Sequence, residues 1–446
     1  MATFNPEKNI RTINVRSETR TYIFSDIHIT TDLSLDGKAI ILKLIEKLSQ
    51  IARESKTKKT IVYFLGDFID ILRKNINPKD LEKHPYKELF NTIKRISDNS
   101  GKVKYILGNH DRLVATDKDL IAFLKSKKIE INTKNPYAEN LKYKDNLIAL
   151  DHGNQYDPLS AYYDITYKNE SPISEHIVKI LKNVRTNSSD DSDDWIKDSD
   201  KVKPIAKLTN WYFSKFFYKE SSRSLKFLAS PIIFNIFFTR VLPLILIYYI
   251  LVIKKIKLSS LHQNIMLLIG ILMVIDGSLF FMGAMMFIIK KDVMRVLKKF
   301  NILDWEVINI SKTIQTNIKT GLNKNSTYFI KNAKNLKALI IGHTHISNIT
   351  EHNGKTLIIN GCWQMGFKEV KTMFSLPKVY VRTYNLNYTT IDFNNTIKIV
   401  QHQISIPHDL RINKLEKLAI IYHLRKVKKE SLINKEKIIK TKEIRI

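Results

Sequence analysis

Apolar runs that end in polar residues recur along this chain. Between residues 20 and 154 they alternate with amphipathic segments, such as Ala39–Ala52 and Lys118–Lys127, whose apolar spacing predicts helices. This alternation favours an α/β sheet, and open sheets of this kind bind ligands beyond the carboxyl ends of their strands. We therefore expect the polar residues that follow the strands to meet at one edge of a sheet. The runs with their polar endings are TYIFSDIH, TIVYFLGDFID, VKYILGNHD, NLIALDHGN and ALIIGHTH.

The residues at these strand ends are donors for hard and borderline metal ions. Carboxylate, imidazole and amide groups suit Mn²⁺, Fe or Zn²⁺ better than soft metals. Two such ions about 3.5–4 Å apart activate water and hydrolyse phosphate esters. Taken singly, each residue has a plain alternative as a helix cap or a buried polar group. The candidates are Asp26, His28, Asp67, Asp70, Asn109, His110, Asp111, His152, His343 and His345.

The order and spacing of these residues resemble the calcineurin-like metallophosphoesterase superfamily. The resemblance covers about residues 20–155 and 336–405, and it implies an α/β fold with a two-sheet sandwich flanked by helices. It also implies a metal-dependent phosphoric ester hydrolase with two divalent metal ions, Mn²⁺ first and Fe or Zn²⁺ as alternatives. The matching blocks are D-x-H at 26–28, G-D-x-x-D at 66–70, G-N-H-D at 108–111, the lone His152 and G-H-x-H at 342–345.

The resemblance implies a ligand set for each metal, with one carboxylate shared between the two ions. A shared carboxylate keeps two cations close despite their repulsion, because its negative charge lies between them. The first set would be Asp26, His28, Asp67 and His345, and the second would be Asp67, Asn109, His152 and His343.

Other residues of the same blocks would assist catalysis. His110 would be the catalytic imidazole, which stabilises charge on the phosphate or protonates the leaving oxygen. Asp111 would orient the His110 ring and raise its pKa. Asp70 would hold a ligand histidine or its loop. Asn360 and Trp363 lie on a strand close to the site in this superfamily and would have a supporting role.

An insertion that the resemblance does not explain separates the fourth and fifth blocks. It covers residues 156–335 and contains two apolar stretches, 229–253 and 265–289. A helix of about 25 residues would be roughly 37 Å long, which exceeds the ~30 Å hydrocarbon core of a bilayer. We expect a transmembrane hairpin here. The alternatives are a re-entrant hairpin and a helical hairpin buried inside a soluble domain.

The distribution of basic residues favours one orientation of this hairpin. Its outer flanks carry more lysine and arginine than the connecting loop, so the positive-inside rule favours both flanks in the cytoplasm. Residues 1–20 contain no apolar core that could act as a secretory signal. Cys362 is the only cysteine, so no intrachain disulfide is expected. We therefore expect a multi-pass membrane protein with two spanning helices and a cytoplasmic catalytic domain.

The chain is thus predicted to divide into four parts. A basic tail ends the chain, and it either lies on an acidic membrane surface or is solvated and partly disordered. The parts are the first piece of the catalytic domain at 1–155, the insertion at 156–335, the remainder of the catalytic domain at 336–408 and the tail at 409–446.

The net charge of +30 favours a polyanionic partner, either an acidic lipid surface or nucleic acid. A genome rich in Lys, Ile and Asn codons would supply much of this charge without any partner. Because the lysines flank the hairpin and form no basic stripe, we favour the membrane over nucleic acid. The expected substrate is a lipid-linked or nucleotide phosphate ester. The alternatives are a nuclease, a phosphoprotein phosphatase and, least favoured, a non-catalytic scaffold with the same fold.

Overall fold

The computed structural model describes most of the chain outside the predicted insertion. No helix within the described part is long and apolar enough to cross a membrane. The stretches 229–253 and 265–289 lie almost entirely outside it, and so does the predicted hairpin. Besides a few isolated positions, the described ranges are 10–31, 35–72, 76–131, 138–157, 207–220, 335–372 and 376–445.

The larger of two main sheets has seven strands and contains most of the predicted α/β pattern. Four consecutive parallel strands come from the N-terminal part of the chain, and three antiparallel strands from the C-terminal part complete the sheet. From one edge to the other, the strands are β15 (Lys435–Arg445), β14 (Thr396–Ser405), β13 (Asn385–Phe393), β2 (Arg20–Phe24), β3 (Thr60–Leu65), β4 (Lys102–Ile106) and β5 (Ile129–Ile131).

The second main sheet has six strands and joins segments from both sides of the insertion. Its central pair is parallel, with Ile148 opposite Ala338 and Asp151 opposite Ile341. From edge to edge, the strands are β1 (Arg11–Asn14), β6 (Ala138–Tyr143), β7 (Asn146–Asp151), β8 (Leu336–Ile341), β10 (Lys355–Asn360) and β9 (Ser347–His352). A separate two-stranded sheet consists of β11 (Gly366–Val370) and β12 (Val379–Thr383).

The helices form where apolar residues recur every three or four positions. In the first helix the buried side chains include Ile40, Ile41, Leu44, Leu48 and Ile51, which is the spacing of one helical face. The helices in the described part are α1 (Leu35–Glu54), α2 (Pro78–Leu81), α3 (Tyr86–Asp98), α4 (Lys118–Ser126), α5 (Leu208–Lys215), α6 (Lys414–Ala419) and α7 (Ile421–Ser431).

The core has two layers, one on each face of the seven-stranded sheet. In β2 and β3, Ile23 and Tyr63 face the six-stranded sheet, whereas Phe24 and Phe64 belong to the layer that α1 and α3 cover. Both faces of these parallel strands are therefore buried, which explains why their sequences are almost continuously apolar. The predicted two-sheet sandwich flanked by helices agrees with this arrangement.

The C-terminal segment differs from the separate tail that the sequence predicts at 409–446. Residues 435–445 form β15, which pairs with β14 along nearly its whole length. The preceding residues form α6 and α7. Most β15 side chains are exposed, so the segment KEKIIKTKEIR lacks the alternation that marks a half-buried strand. Backbone pairing at the sheet edge, and not side-chain burial, holds this segment in the fold.

Candidate metal centre

The predicted ligands, which follow strands of both sheets, lie close together in the fold. β2, β3 and β4 are parallel neighbours, and β7 and β8 are parallel neighbours in the other sheet, so their carboxyl ends lie at common edges. A hydrogen bond then joins the two edges, because His343 N donates to the carboxylate of Asp26 at 3.1 Å. Within the six-stranded sheet, Gly342 N donates to His152 O at 2.8 Å. The expected convergence of the five blocks is therefore present.

Three residues of the first predicted ligand set form a compact group. Donor atoms of Asp26, His28 and His345 all lie within 4.8 Å of one another. His345 Nε2 is 3.2 Å from Asp26 Oδ1. Asp26 and His28 are buried, whereas His345 is partly exposed, so the group lies at the inner end of an opening to solvent.

Asp67 lies between this group and the second one, as a bridging ligand must. Its Oδ2 atom is 3.5 Å from His28 Nε2 and 3.3 Å from His152 Nε2. Asp26, Asp67 and His152 also have donor atoms within 4.8 Å of one another. Asn109 is buried on the adjacent loop, where the backbone N of His110 donates to Asp67 Oδ1 at 2.9 Å. The shared carboxylate thus contacts residues from both predicted sets.

Two buried imidazole nitrogens fit a metal better than they fit any protein partner. Nε2 of His28 and Nε2 of His152 are both inaccessible to solvent, and neither makes a hydrogen bond within the described part of the chain. Both nitrogens instead lie beside the same oxygen of Asp67. A buried polar atom without a hydrogen bond is costly, and coordination to a cation would remove that cost. The donor set present here fits two divalent ions.

The charges of the site also favour bound cations. Burial would raise the pKa of the Asp67 carboxyl, but the imidazoles of His152 and His110 outweigh burial and hold that pKa well below its ordinary value. Burial lowers the pKa of His152, yet the nearby carboxylates of Asp67 and Asp26 raise it to about 10. The pKa of His28 is lowered, chiefly by burial. Without metal, a proton on His152 thus offsets part of the negative charge of the carboxylates, and a bound cation would take the place of that proton.

Five of the predicted ligands have an unusual backbone that the sequence does not reveal. Their φ angles lie between 51° and 65°, in the left-handed region, although none is glycine. This conformation costs roughly 1–2 kcal/mol for each such residue, and it is typical of functional sites. The five residues are Asp26, His28, Asp67, His343 and His345.

Two glycines leave the space that the ligands occupy. Neither Gly108 nor Gly342 has a positive φ angle. A Cβ atom on Gly108 would lie 2.6 Å from His152 Cδ2 and even closer to Asp67 Oδ1. A Cβ atom on Gly342 would lie 2.6 Å from Asp26 Oδ2. The close approach of the ligands, and not the backbone conformation, requires glycine here.

The carboxylate beside His110 is Asp70, which corrects the role predicted for Asp111. Asp70 Oδ1 is 3.0 Å from His110 Nδ1, and its other oxygen is 2.8 Å from His28 Nδ1. The predicted role of Asp70 in holding a ligand histidine agrees with this contact. Both aspartates of the G-D-x-x-D motif therefore act at the centre. Asp67 is a predicted ligand, and Asp70 holds the imidazoles of His28 and His110.

Asp111 instead ties two ligand loops together. It accepts hydrogen bonds from Gly108 N at 2.5 Å, from Phe68 N at 2.9 Å and from the hydroxyl of Tyr105. Burial, together with the charge of Asp67, raises the pKa of Asp111 to about 7. Sequence reasoning missed Tyr105, which lies inside an apolar strand and gives no sign of a polar role. Asp111 is thus a loop-bridging residue.

The remaining predicted residues surround the centre. Asn360 donates to Ser25 Oγ at 3.0 Å, and Trp363 N donates to Asp26 O at 3.3 Å, which agrees with their supporting role. His343 lies next to His152, with ring centroids 5.3 Å apart. Its Nε2 atom is 3.0 Å from Asp157 Oδ2, a contact that the sequence did not predict.

Comparison with known proteins identifies the chain's relatives. A family model described as calcineurin-like phosphoesterase matches residues 19–231, which include four of the five blocks. No curated protein matches the chain. Among solved structures, a dimetal phosphatase from Danio rerio is similar at 11% identity and a TM-score of 0.31, over 87% of this chain and 96% of that chain. The phosphopantetheinyl hydrolase PptH from Mycobacterium tuberculosis is similar at 10% identity and a TM-score of 0.22, over 78% and 91%. A protein of unknown function from Aquifex aeolicus, AQ665, is similar at 19% identity and a TM-score of 0.21, over 38% and 74%.

The space at Gly108 yields a first prediction. Gly108→Ala should displace Asp67 and His152, lower the affinity for Mn²⁺ and reduce hydrolysis by about 10²-fold, the size of loss that a misplacement of about 1 Å can cause. Gly366→Ala is the matched control, because its Cβ would meet nothing closer than Thr383 Oγ1 at 3.9 Å. Metal content and initial rates of both variants would be measured. Equal metal binding by the two would show that the ligands do not need this space.

Asp70 and Asp111 should give opposite results when each is changed to asparagine. Asp70→Asn weakens the hold on His28 and His110, so kcat should fall about 10–100-fold with little change in thermal unfolding. Asp111→Asn places an amide group among hydrogen-bond donors and should cost roughly 1–3 kcal/mol of stability. Thermal melts and kinetics of both variants are the measurement. Loss of kcat without loss of stability in Asp111→Asn would restore the role that the sequence suggested.

Proposed function

We propose that this chain, whose residues 19–231 match the calcineurin-like phosphoesterase family, is a metal-dependent phosphoric ester hydrolase. It would cleave a phosphodiester, a phosphomonoester or a pyrophosphate with two divalent ions at the candidate metal centre. One observation carries this proposal. The buried Nε2 atoms of His28 and His152 make no hydrogen bond within the described part of the chain, and they lie 3.5 and 3.3 Å from the same oxygen of Asp67. This is the arrangement that a pair of ions sharing a carboxylate requires.

Two ions bound there would lower the pKa of water and offset the charge that develops on the phosphate. The residues of the chain position the groups that would bind these ions. Asp67 holds the two ligand groups together, and the left-handed backbone of Asp26 and His28 fixes their side chains before any substrate arrives. Preorganised groups of this kind lose no free energy to reorganisation during the reaction. Mn²⁺ is our first choice of metal, with Fe or Zn²⁺ as alternatives.

His110 is the proposed acid that protonates the leaving oxygen. Its side chain is partly exposed beside the buried ligands, with its ring 4.7 Å from that of His28. Asp70 holds Nδ1, so we assign proton transfer to Nε2.

We further propose that the substrate is lipid-linked. Two large apolar side chains are exposed on the loops that carry site residues. Leu113 is 41% exposed, three positions after His110, and Ile346 is 44% exposed, next to His345. Exposed apolar groups beside a polar centre favour a substrate with a charged head and an apolar tail.

A basic surface on α7 supports the proposal that the enzyme works at an acidic membrane. Tyr422 is 83% exposed, and Arg425, Lys426 and Lys429 lie around it on the side of the helix away from the buried Val427. None of these cations forms an ion pair within the described part of the chain. A cationic helix face with an exposed aromatic ring suits the headgroup layer of acidic lipids. The neighbouring Ile421 is also exposed. This apolar side chain suits a lipid surface, whereas a binding surface for nucleic acid would give it no role.

The apolar stretches 229–253 and 265–289 complete the proposed membrane location, with the catalytic domain on the cytoplasmic side. One described position of the second stretch, Ile288, packs against the cluster that α6, α7 and β12 share. Ile288 and Val427 of α7 thus belong to one packed cluster, which supports a common membrane location for the predicted hairpin and α7.

The hydrolase itself is tested with a substrate that has no lipid. Purified protein with Mn²⁺ should hydrolyse bis-p-nitrophenyl phosphate, and Asp67→Asn should lose at least about 10²-fold in rate, because a neutral amide cannot hold two cations together. Lys56→Gln, on an exposed loop remote from the centre, serves as the control. Wild-type protein that binds metal but hydrolyses nothing would favour the scaffold alternative.

Lipid specificity and membrane docking are tested together. The probes are CDP-diacylglycerol in vesicles that contain acidic phospholipid and CDP-glycerol in solution. Wild type should prefer the vesicle-borne compound. Charge reversal at Arg425, Lys426 and Lys429 should lower that rate at least about tenfold, since each cation contributes about 1 kcal/mol at such a surface. The rate on CDP-glycerol should not change.

A matched variant controls for net charge. Charge reversal at Lys56, Lys58 and Lys59 removes the same charge from the exposed loop before β3, at the end of the sheet opposite the metal centre. It should leave both rates near those of wild type. Equal effects of the two triple variants would refute docking through α7. A faster rate on CDP-glycerol than on the lipid would refute lipid specificity and favour a nucleotide substrate.

A further inference from the structure

Two ligand imidazoles of this centre, those of His28 and His152, follow one rule. In each of them the protein holds one ring nitrogen and leaves the other for a metal. His28 Nδ1 is 2.8 Å from Asp70 Oδ2, and His152 Nδ1 is 3.1 Å from the backbone O of Leu65. The Nε2 atoms of both residues make no hydrogen bond within the described part of the chain. A partner on one nitrogen fixes the proton there and makes the other nitrogen the ligand.

In His343 the roles of the two ring nitrogens are exchanged, because the protein holds Nε2 and not Nδ1. Its Nε2 atom is 3.0 Å from Asp157 Oδ2. A nitrogen that carries a proton toward a carboxylate cannot also bind a cation, so Nδ1 is the nitrogen available for one. The neighbouring ring is that of His152, 5.3 Å away between centroids, which places His343 beside the second predicted ligand set.

Asp157 is built into its position. It is buried, and its Oδ2 atom also accepts a hydrogen bond from Ser160 Oγ at 2.8 Å. Ser160 N donates to the backbone O of Asp157, and Asn154 Nδ2 donates to Ser160 O. The short turn that follows His152 therefore ends in a fixed carboxylate, and that carboxylate faces an imidazole from the far side of the insertion.

We propose that Asp157 is a positioning residue for the second metal, which it serves by holding His343 Nε2 so that Nδ1 is the ligand atom. The loop HGNQYD then supplies two things to one ion, the imidazole of His152 directly and the orientation of His343 through Asp157. A carboxylate behind a ligand imidazole also makes that imidazole a stronger donor. This inference rests on the proposed metal centre but not on any particular substrate.

The test measures metal binding, not hydrolysis. Wild type should bind two Mn²⁺ per chain in a titration followed by metal analysis. Asp157→Ala should weaken one of the two sites by about 10–100-fold, the usual effect of removing such a partner, and leave the other unchanged. Asp157→Asn should lie between them, because its amide oxygen still accepts a hydrogen bond from Nε2.

A double-variant comparison separates positioning from a merely structural role. If Asp157 acts through His343, then Asp157→Ala should weaken metal binding no further in a chain that already carries His343→Ala. An additional loss in the double variant would overturn the proposal, and so would two unchanged sites in Asp157→Ala.

Ser160→Ala controls for the stability of the turn. It removes the other side-chain partner of Asp157 Oδ2 but leaves the contact with His343, so both Mn²⁺ affinities should stay within about twofold of wild type. Thermal melts of the metal-free proteins show whether each variant folds. Weak metal binding by Ser160→Ala with a normal melt would mean that the turn, and not the contact with His343, determines the site. Two tightly bound ions without hydrolysis in wild type would refute the proposed function while leaving this inference intact.

Discussion

Burial of several carboxylates at the meeting edge of two sheets is the constraint on which this structure depends. Asp26, Asp67, Asp70 and Asp111 are all nearly inaccessible to solvent. Each buried negative charge needs partners, because desolvation without them costs several kcal/mol. Asp111 finds backbone donors from two loops, and Asp70 finds two imidazoles. Asp26 and Asp67 each accept one backbone N–H, from His343 and His110, and otherwise face the ligand imidazoles, so bound cations would complete their charge balance.

The same constraint explains the strained backbone of the ligands. Side chains two positions apart in D-x-H and H-x-H would lie on the same side of an extended strand. The left-handed conformations at both positions turn the chain out of the strand direction directly after β2 and β8. Hydrogen bonds offset this strain. Gly342 N donates to His152 O within one sheet, Gly66 N donates to Ile106 O within the other, and His343 N donates to the carboxylate of Asp26 between the two sheets. The ligand loops of the two sheets therefore hold each other in place.

Sequence reasoning could locate the ligands because strand ends are visible as apolar runs followed by polar residues. It could also find α1 and α4, whose apolar spacing is regular. It could not assign the partner of His110, because Asp70 and Asp111 are both carboxylates near it in sequence and only the three-dimensional turn decides between them. Nor could it find β15, whose exposed strand lacks a buried face, or Asp157, whose role depends on a residue nearly two hundred positions away.

The topology explains how a large insertion can separate two ligands of one centre. β7 and β8 are parallel neighbours, so the chain between them must return from the carboxyl end of one strand to the amino end of the other. Its length is therefore not restricted by the sheet. It departs at the metal centre, directly after His152, and its first turn contains the carboxylate that faces His343. A conformational change at the start of this segment would thus move His343 through its contact with Asp157. The insertion is therefore physically coupled to the second ligand set.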